Sequence, residues 1–152
     1  MPSHPDEELC QRIVAESQDA IIFADREGVI RLWNSGAESM LGYRAEEAIG
    51  KTLDVIIPER LRQRHWDGWR KVMATGVTRY GREVLAVPAM HKDGTRISIE
   101  FTIVVLRDEG GNPLGAAATI RDVTTRWQQE KDQKQRLADL EVRLKRLGQE
   151  IA

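Results

Sequence analysis

Residues 96–106 restrict the fold most strongly, because apolar and polar side chains alternate through the whole segment. The apolar positions are Ile97, Ile99, Phe101, Ile103 and Val105. Successive side chains of a strand point to opposite faces, so this spacing predicts a strand with one face buried and the other in solvent. Such a strand is typical of an antiparallel sheet that is covered on one face.

Turn signals on either side of this segment predict a strand before it and a strand after it. Residues 77–90 are rich in strand formers and are followed by a turn at Asp93-Gly94. A second turn contains Gly110-Gly111, and residues 114–123 then form a strand rich in Ala and Gly. The second half of the chain is therefore predicted to hold three consecutive antiparallel strands.

The first half combines a hairpin with short helices. The apolar runs 20–24 and 29–33 are joined by four residues that end in Gly28, a pattern that predicts two paired strands. The predicted helices cover residues 6–17, 35–41 with Asn34 or Ser35 as the N-cap, 45–49, and 59–74 after Pro58. The order predicts an α+β fold, a five-stranded antiparallel sheet with short helices on one face.

Composition narrows the function classes. The chain has 152 residues with 23 Lys+Arg and 24 Asp+Glu, a balance that argues against a nucleic-acid-binding protein. No apolar run approaches the roughly 18 residues of a membrane span. The single cysteine, Cys10, excludes an internal disulfide framework and fits a reducing cytoplasm. We therefore expect a cytoplasmic location without membrane or nucleic-acid partners, and we interpret Cys10 as a packing residue of the first helix.

No pattern in the chain indicates an enzyme. No glycine-rich loop lies between a strand and a helix, as phosphate binding would require. Glu46 and Glu47 are adjacent on a predicted helix and face apart, so they do not form an acid–base pair. No histidine follows His91, which leaves no phosphoacceptor in the C-terminal segment, and His91 itself is expected to be exposed beside its turn.

The C-terminal segment has the composition and spacing of a coiled-coil helix. From Trp127 the chain is rich in Gln, Lys, Arg, Glu and Leu, and apolar residues recur at intervals of 3, 4, 3 and 4. These residues are Leu137, Leu140, Leu144, Leu147 and Ile151. A narrow a/d seam favours pairing with a second helix, hence a homodimer, over a helix that folds back on its own domain. The predicted organisation is an N-terminal helical cap (1–18), a central domain (19–125) and a signalling helix (126–152).

Several short motifs of the central region together resemble the PAS sensor family. They are Asp25, Gly28-Val29-Ile30, Trp33-Asn34, Ala37, Leu41-Gly42-Tyr43, Glu46-Glu47-Ala48-Ile49-Gly50-Lys51, Lys92-Asp93-Gly94-Thr95 and Arg121-Asp122-Val123-Thr124. The resemblance covers residues 9–125 and implies a five-stranded antiparallel sheet that cups a small-molecule pocket under short helices. It also implies that Asp122 and Thr124 pass a signal from the sheet to the following helix.

His65 lies on the apolar stripe of the predicted helix at 59–74. At about 100° per residue, it shares one stripe with Leu61, Trp69, Val72 and Met73. One interpretation is a core histidine that is satisfied by a hydrogen bond. The other is a haem ligand, because a neutral imidazole nitrogen suits iron when its other nitrogen is held by a carbonyl or carboxylate.

The segment that runs from Ile57-Pro58 to His65 resembles the proximal-histidine helix of haem-binding PAS domains in bacterial oxygen sensors. The resemblance implies that His65 binds the iron of haem b. An apolar slot would surround it, lined by Leu61, Trp69, Val72, Leu85, Ile99, Phe101 and Ile103.

The distal side departs from that family. In the gapless register, the distal arginine of one branch falls at Leu85 and the distal methionine of another falls at Glu83, with Arg82 nearby. An apolar distal side lacks a donor that would stabilise bound oxygen, so carbon monoxide, nitric oxide and redox change stay open beside oxygen. The flavin–cysteine chemistry of light-sensing relatives is not expected, because Cys10 lies outside the pocket region.

Two functions are compatible with these features. The first is a sensor that binds haem through His65, responds to a diatomic gas or a redox change, and signals through a dimeric C-terminal helix to a separate output protein. The second is a haem-free PAS module that dimerises or docks on a partner and binds another small ligand or none.

Overall fold

The computed structural model describes residues 4–78 and 83–151. Its helices are α1 Pro5–Glu16, α2 Ser35–Leu41, α3 Ala45–Ala48, α4 Glu59–Thr75 and α5 Thr124–Ile151, with a 3-10 turn at Leu53–Val55. Its strands are β1 Ala20–Asp25, β2 Ile30–Trp33, β3 Leu85–Met90, β4 Arg96–Arg107 and β5 Pro113–Asp122.

The strands form one five-stranded sheet in the order β2-β1-β5-β4-β3, and every neighbouring pair is antiparallel. The α+β fold predicted from the sequence is confirmed. In β4 the alternating apolar residues share one face, as Phe101 pairs with Ile120 and Ile103 pairs with Ala118. This face carries the buried core, to which α2 and α3 also contribute residues. The apolar side chains of the sheet and of these helices pack against one another and are removed from water.

Asn34 connects the sheet to the helices on its inner face. Its side chain is buried, and its Oδ1 accepts the N–H of Ile21 at 2.8 Å and that of Ala37 at 3.0 Å. Its Nδ2 donates to the carbonyl of Val14 at 2.8 Å and to that of Asp19 at 3.0 Å. The predicted N-cap of α2 therefore also ties the end of α1 to β1.

We expect Asn34→Ala to lower the free energy of unfolding by about 2–4 kcal/mol, because it removes a helix cap and leaves buried backbone groups unpaired. The matched control is Ser35→Ala, which changes an exposed neighbour and should stay within about 0.5 kcal/mol. Urea unfolding followed by circular dichroism measures both values. Equal stability of the two variants would contradict the role of Asn34.

Most predicted boundaries agree with the structure to within a residue or two. Gly42 and Gly76 cap α2 and α4 in the left-handed conformation, with φ of 82° and 70°. The 3-10 turn at Leu53–Val55 was not predicted. The predicted strand at 77–90 is seen as β3, which begins at Leu85, and residues 79–82 lie outside the described part of the chain.

Two predictions of burial were wrong. Cys10 is exposed, because α1 buries none of its residues. His91 is half-buried rather than exposed, with 26% of its side chain accessible. The turn folds back so that the Lys92 N–H donates to the carbonyl of Leu41 at 2.9 Å, which brings the His91 ring against Gly42.

The chain divides into two compact units, one up to Asp122 and one from Val123 onward. The second unit consists of α5, whose side chains from residue 125 to residue 151 are exposed. Among residues 4–78 and 83–151, no helix is both long enough and apolar enough to span a membrane.

Candidate functional site

Helix α4 carries four of the eight residues predicted to bind the cofactor, and its C-terminal end is anchored to the sheet. It follows Pro58, and Gly76 ends it with an N–H bond to the carbonyl of Val72. The Arg107 guanidinium of β4 donates to the carbonyl of Gly76, which fixes the C-terminal end of α4 against the sheet. Of the residues of α4, Met73 is buried.

The predicted lining residues divide between α4 and the inner face of the sheet. On α4, Leu61, His65, Trp69 and Val72 are all half-buried. On the sheet, Ile99 is buried, whereas Leu85, Phe101 and Ile103 are half-buried. Leu85 pairs with Phe101 across β3 and β4, so these apolar side chains share the covered face. The main core cluster contains Ile99 and Phe101 but none of the four α4 residues.

The His65 ring lies between two tryptophans of its own helix. The centroid of Trp66 is 4.7 Å away with its plane inclined by 78°, and that of Trp69 is 5.9 Å away at 30°. The Nδ1 atom of His65 is buried without a hydrogen-bond partner. The hydrogen bond expected of a structural core histidine is thus missing at this atom, and so is the carbonyl or carboxylate expected behind a metal ligand.

The environment of His65 favours the neutral imidazole. Burial lowers the pKa of His65 below its ordinary value, and the Asp54 carboxylate only partly opposes this effect. At neutral pH the ring therefore keeps a nitrogen lone pair, which is the form that binds transition metals. An unpaired buried nitrogen also costs free energy that a ligand could recover.

Sequence reasoning missed Asp54 and Trp66 as parts of this site. The indole N–H of Trp66 donates to the Asp54 carboxylate at 2.7 Å, and Asp54 acts on His65 from the 3-10 turn. Trp66 lies beside the apolar stripe rather than on it, so the helical periodicity did not include it. Its position next to His65 was the one signal available.

The two other predicted groups lie at the end of the sheet and along α5. Asp122 is the last residue of β5 and Thr124 is the first of α5. The a/d residues are all exposed, from 46% for Leu140 to 86% for Ile151.

Surface cavities lie elsewhere on the described residues. One, of about 530 Å³, lies between α1 and β2 and includes Cys10 and Trp33. Another, of about 730 Å³, lies beside the first turn of α4 and includes Arg60, Arg62 and Arg96. Neither cavity includes His65.

A single antiparallel sheet with short helices over one face places the chain among small α+β domains. Residues 14–128 match the protein family described as the PAS fold. The chain therefore belongs to the PAS family and is a PAS sensory module.

Its relatives include named sensors. An uncharacterized protein of Azorhizobium caulinodans is 35% identical over 111 residues, covering 72% of this chain and 15% of that protein. Sensor protein FixL of Bradyrhizobium diazoefficiens is 30% identical over 72% of this chain and 21% of its own length. Oxygen sensor protein DosP of Escherichia coli is 28% identical over 70% of this chain and 13% of its own length. This chain thus spans between 13% and 21% of these relatives.

Solved structures agree on the fold. The PAS domain of a protein from Colwellia psychrerythraea has a TM-score of 0.69 at 25% identity, over 79% of this chain and 98% of that one. An RNA-binding light-oxygen-voltage receptor has a TM-score of 0.69 at 21% identity, over 93% of this chain and 39% of the receptor, which is a likeness of fold alone.

Proposed function

We propose that this PAS module binds haem b through His65 and detects a diatomic gas or a redox change. The observation that carries the proposal is the buried, unpartnered Nδ1 of a neutral imidazole on the half-buried side of α4. Relatives named as a sensor protein and an oxygen sensor protein support a sensing role.

The residues predicted to line the site are apolar, which suits a planar apolar group. Leu85, Phe101 and Ile103 are half-buried on the covered face of the sheet, and Leu61 and Val72 are half-buried on α4. A porphyrin buries its apolar surface by the same effect that buries these side chains. Haem would supply an iron that takes a gas or changes its oxidation state, while His65 would hold that iron as the axial ligand.

The side chains predicted to line the haem slot from β3 and β4 offer no hydrogen-bond donor. Leu85 stands where one branch of oxygen sensors has its arginine, and Ile99 and Ile103 are equally apolar. Without a donor, a gas that gains negative charge on binding is stabilised less. Carbon monoxide, nitric oxide and a redox change are therefore candidate signals beside oxygen. Arg82, the residue near the distal position in the sequence, lies outside the described residues.

Visible absorption of the purified chain titrated with haemin tests this function. A sharp Soret band that saturates at one haem per chain supports it. A featureless titration favours the second candidate, a haem-free PAS module that dimerises or docks on a partner, for which the exposed a/d seam of α5 is the favourable observation.

For both the haem-binding and the haem-free module, we propose that a homodimer formed by α5 passes on the signal. Asp122 and Thr124 stand at the junction between β5 and α5, where a change in the sheet would reach the helix. A separate output protein would then read the paired helices. No catalytic role is assigned to this chain.

The charges beside the seam favour a parallel dimer. With Leu137 at position a, Arg136 occupies a g position and Glu141 the following e position. In a parallel pair, Arg136 faces Glu141 of the second copy, whereas an antiparallel pair would place Arg136 near Arg143. The parallel pair is favoured because it brings opposite charges together, whereas the antiparallel pair brings like charges together.

We expect Arg136→Glu to weaken the parallel dimer by about fivefold, because two exposed attractions become repulsions worth a few tenths of a kcal/mol each. Adding Glu141→Arg should restore the wild-type dissociation constant. Sedimentation equilibrium measures all three proteins. Tighter association of Arg136→Glu alone would indicate the antiparallel arrangement instead.

A further inference from the structure

Trp66 and Trp69 enclose the His65 ring, and we refer to this pair as the tryptophan bracket. One ring meets the imidazole edge to face at 4.7 Å, and the other is stacked on it at 5.9 Å. The two indoles also contact each other edge to face at 6.0 Å. The three rings form one packed cluster, so the imidazole cannot turn without displacing an indole.

Each indole is tied to a group outside α4. The Trp66 N–H donates to the Asp54 carboxylate at 2.7 Å, and the Trp69 N–H donates to the Arg26 carbonyl at 2.9 Å. An indole has a single donor, so one such bond fixes the direction of the ring. Arg26 belongs to the turn between β1 and β2, which means that the bracket spans from His65 to that turn.

Gly28 shows how closely the turn approaches the bracket. A Cβ atom at Gly28 would overlap the Cη2 and Cζ3 atoms of Trp66, and the φ of Gly28 is 78°. The Gly28 N–H closes the turn onto the Asp25 carbonyl at 2.9 Å, and its carbonyl accepts the N–H of Leu53 at 3.1 Å. The far edge of the Trp66 ring thus contacts the main chain of Gly28 directly. No side chain lies between them that could adjust if the ring moved.

We propose that Trp66 and Trp69 are positioning residues that set the plane of the His65 ring and transmit its displacement to the β1–β2 turn. The part of this inference that concerns haem rests on the proposed function. The contact between His65, Trp66 and Gly28 does not depend on it. When His65 takes a ligand, a shift of the imidazole moves Trp66, and the close contact at Gly28 moves the turn.

The haem-free arm of the test is a double-mutant cycle between His65 and Trp66. Its readout is the hydrogen-exchange rate of the Gly28 amide, measured by NMR. We expect His65→Ala to raise this rate about tenfold in the wild-type background and less than about twofold in Trp66→Phe. Trp127→Phe, which changes an exposed tryptophan of α5, is the matched control and should keep the wild-type response.

The second arm adds haemin. Trp66→Phe should retain the Soret band that depends on His65, with about tenfold weaker binding, and should lose the haemin-dependent change in Gly28 exchange. Additive effects in the cycle and an unchanged haemin affinity would overturn the bracket while leaving haem binding intact. No Soret band in the wild type together with a non-additive cycle would refute the haem function and support the bracket. Urea unfolding of each variant separates these outcomes from loss of the fold.

Discussion

His65→Ala is expected to abolish specific haem uptake by this protein. The substitution removes the one imidazole of α4; the stripe residues Leu61, Trp69 and Val72 have no atom that binds iron, and the Met73 thioether is buried. An axial ligand supplies much of the affinity of a protein-held haem and gives its absorption bands their characteristic position and sharpness. The sharp Soret band of the haemin-loaded protein should therefore collapse to the broad absorption of free haemin, with the affinity reduced by about 100-fold.

The measurement is a haemin titration followed in the oxidised state and then reduced under carbon monoxide. His91→Ala is the matched control, because His91 is also half-buried but lies in the β3–β4 turn, where its Nδ1 accepts the Asp93 N–H at 3.1 Å. That variant should keep the band. Haem binding at unchanged affinity in His65→Ala would sink the assignment of His65.

His65→Ala should also retain its fold, which keeps this test interpretable. His65 is outside the main core cluster, and its Nδ1 gives up no hydrogen bond when it is removed. The loss of packing against Trp66 and Trp69 should cost about 1 kcal/mol of unfolding free energy. Circular dichroism and urea unfolding of the apo variant check this value.

The sheet could be predicted because its signals are local. The alternation of residues 97–105 fixes which side chains share a face, and Gly94 and Gly111 mark the hairpin turns on either side. Periodicity also gave helix α4 nearly its full length, since Pro58 and Gly76 mark its two ends. These features can be predicted without knowing which elements pack against one another.

The surroundings of His65 could not be predicted in the same way. Trp66 joins the site because the 3-10 turn brings Asp54 to its indole N–H, and that turn had no sequence signal. The hydrogen bonds of the Asn34 side chain with Ile21, Val14 and Asp19 depend likewise on segments that only the fold brings together. Cys10 was misjudged for a related reason: an apolar residue on a short helix was assumed to pack, whereas α1 leaves it in solvent.

Deleting residues 134–152 is expected to convert a dimer of this protein into a monomer. The deletion removes the whole exposed seam from Leu137 to Ile151, which in a monomer leaves apolar side chains in water. Pairing of two such helices buries them at about 25 cal/mol per Å². With the seam gone, the sedimentation mass should fall by about half.

A single substitution separates the seam from the rest of α5. Leu144 and Val142 are both exposed, at 69% and 51%, but Leu144 stands at an a position and Val142 at the outward-facing f position. Leu144→Asp should raise the dissociation constant by more than about 100-fold, because each helix would carry a charge into the apolar seam. Val142→Asp should leave it within about twofold, since the added charge stays in water. Equal effects of the two substitutions, or an unchanged mass after the deletion, would indicate that the dimer interface lies on the sheet or on α1. The signal would then have to leave the domain without α5.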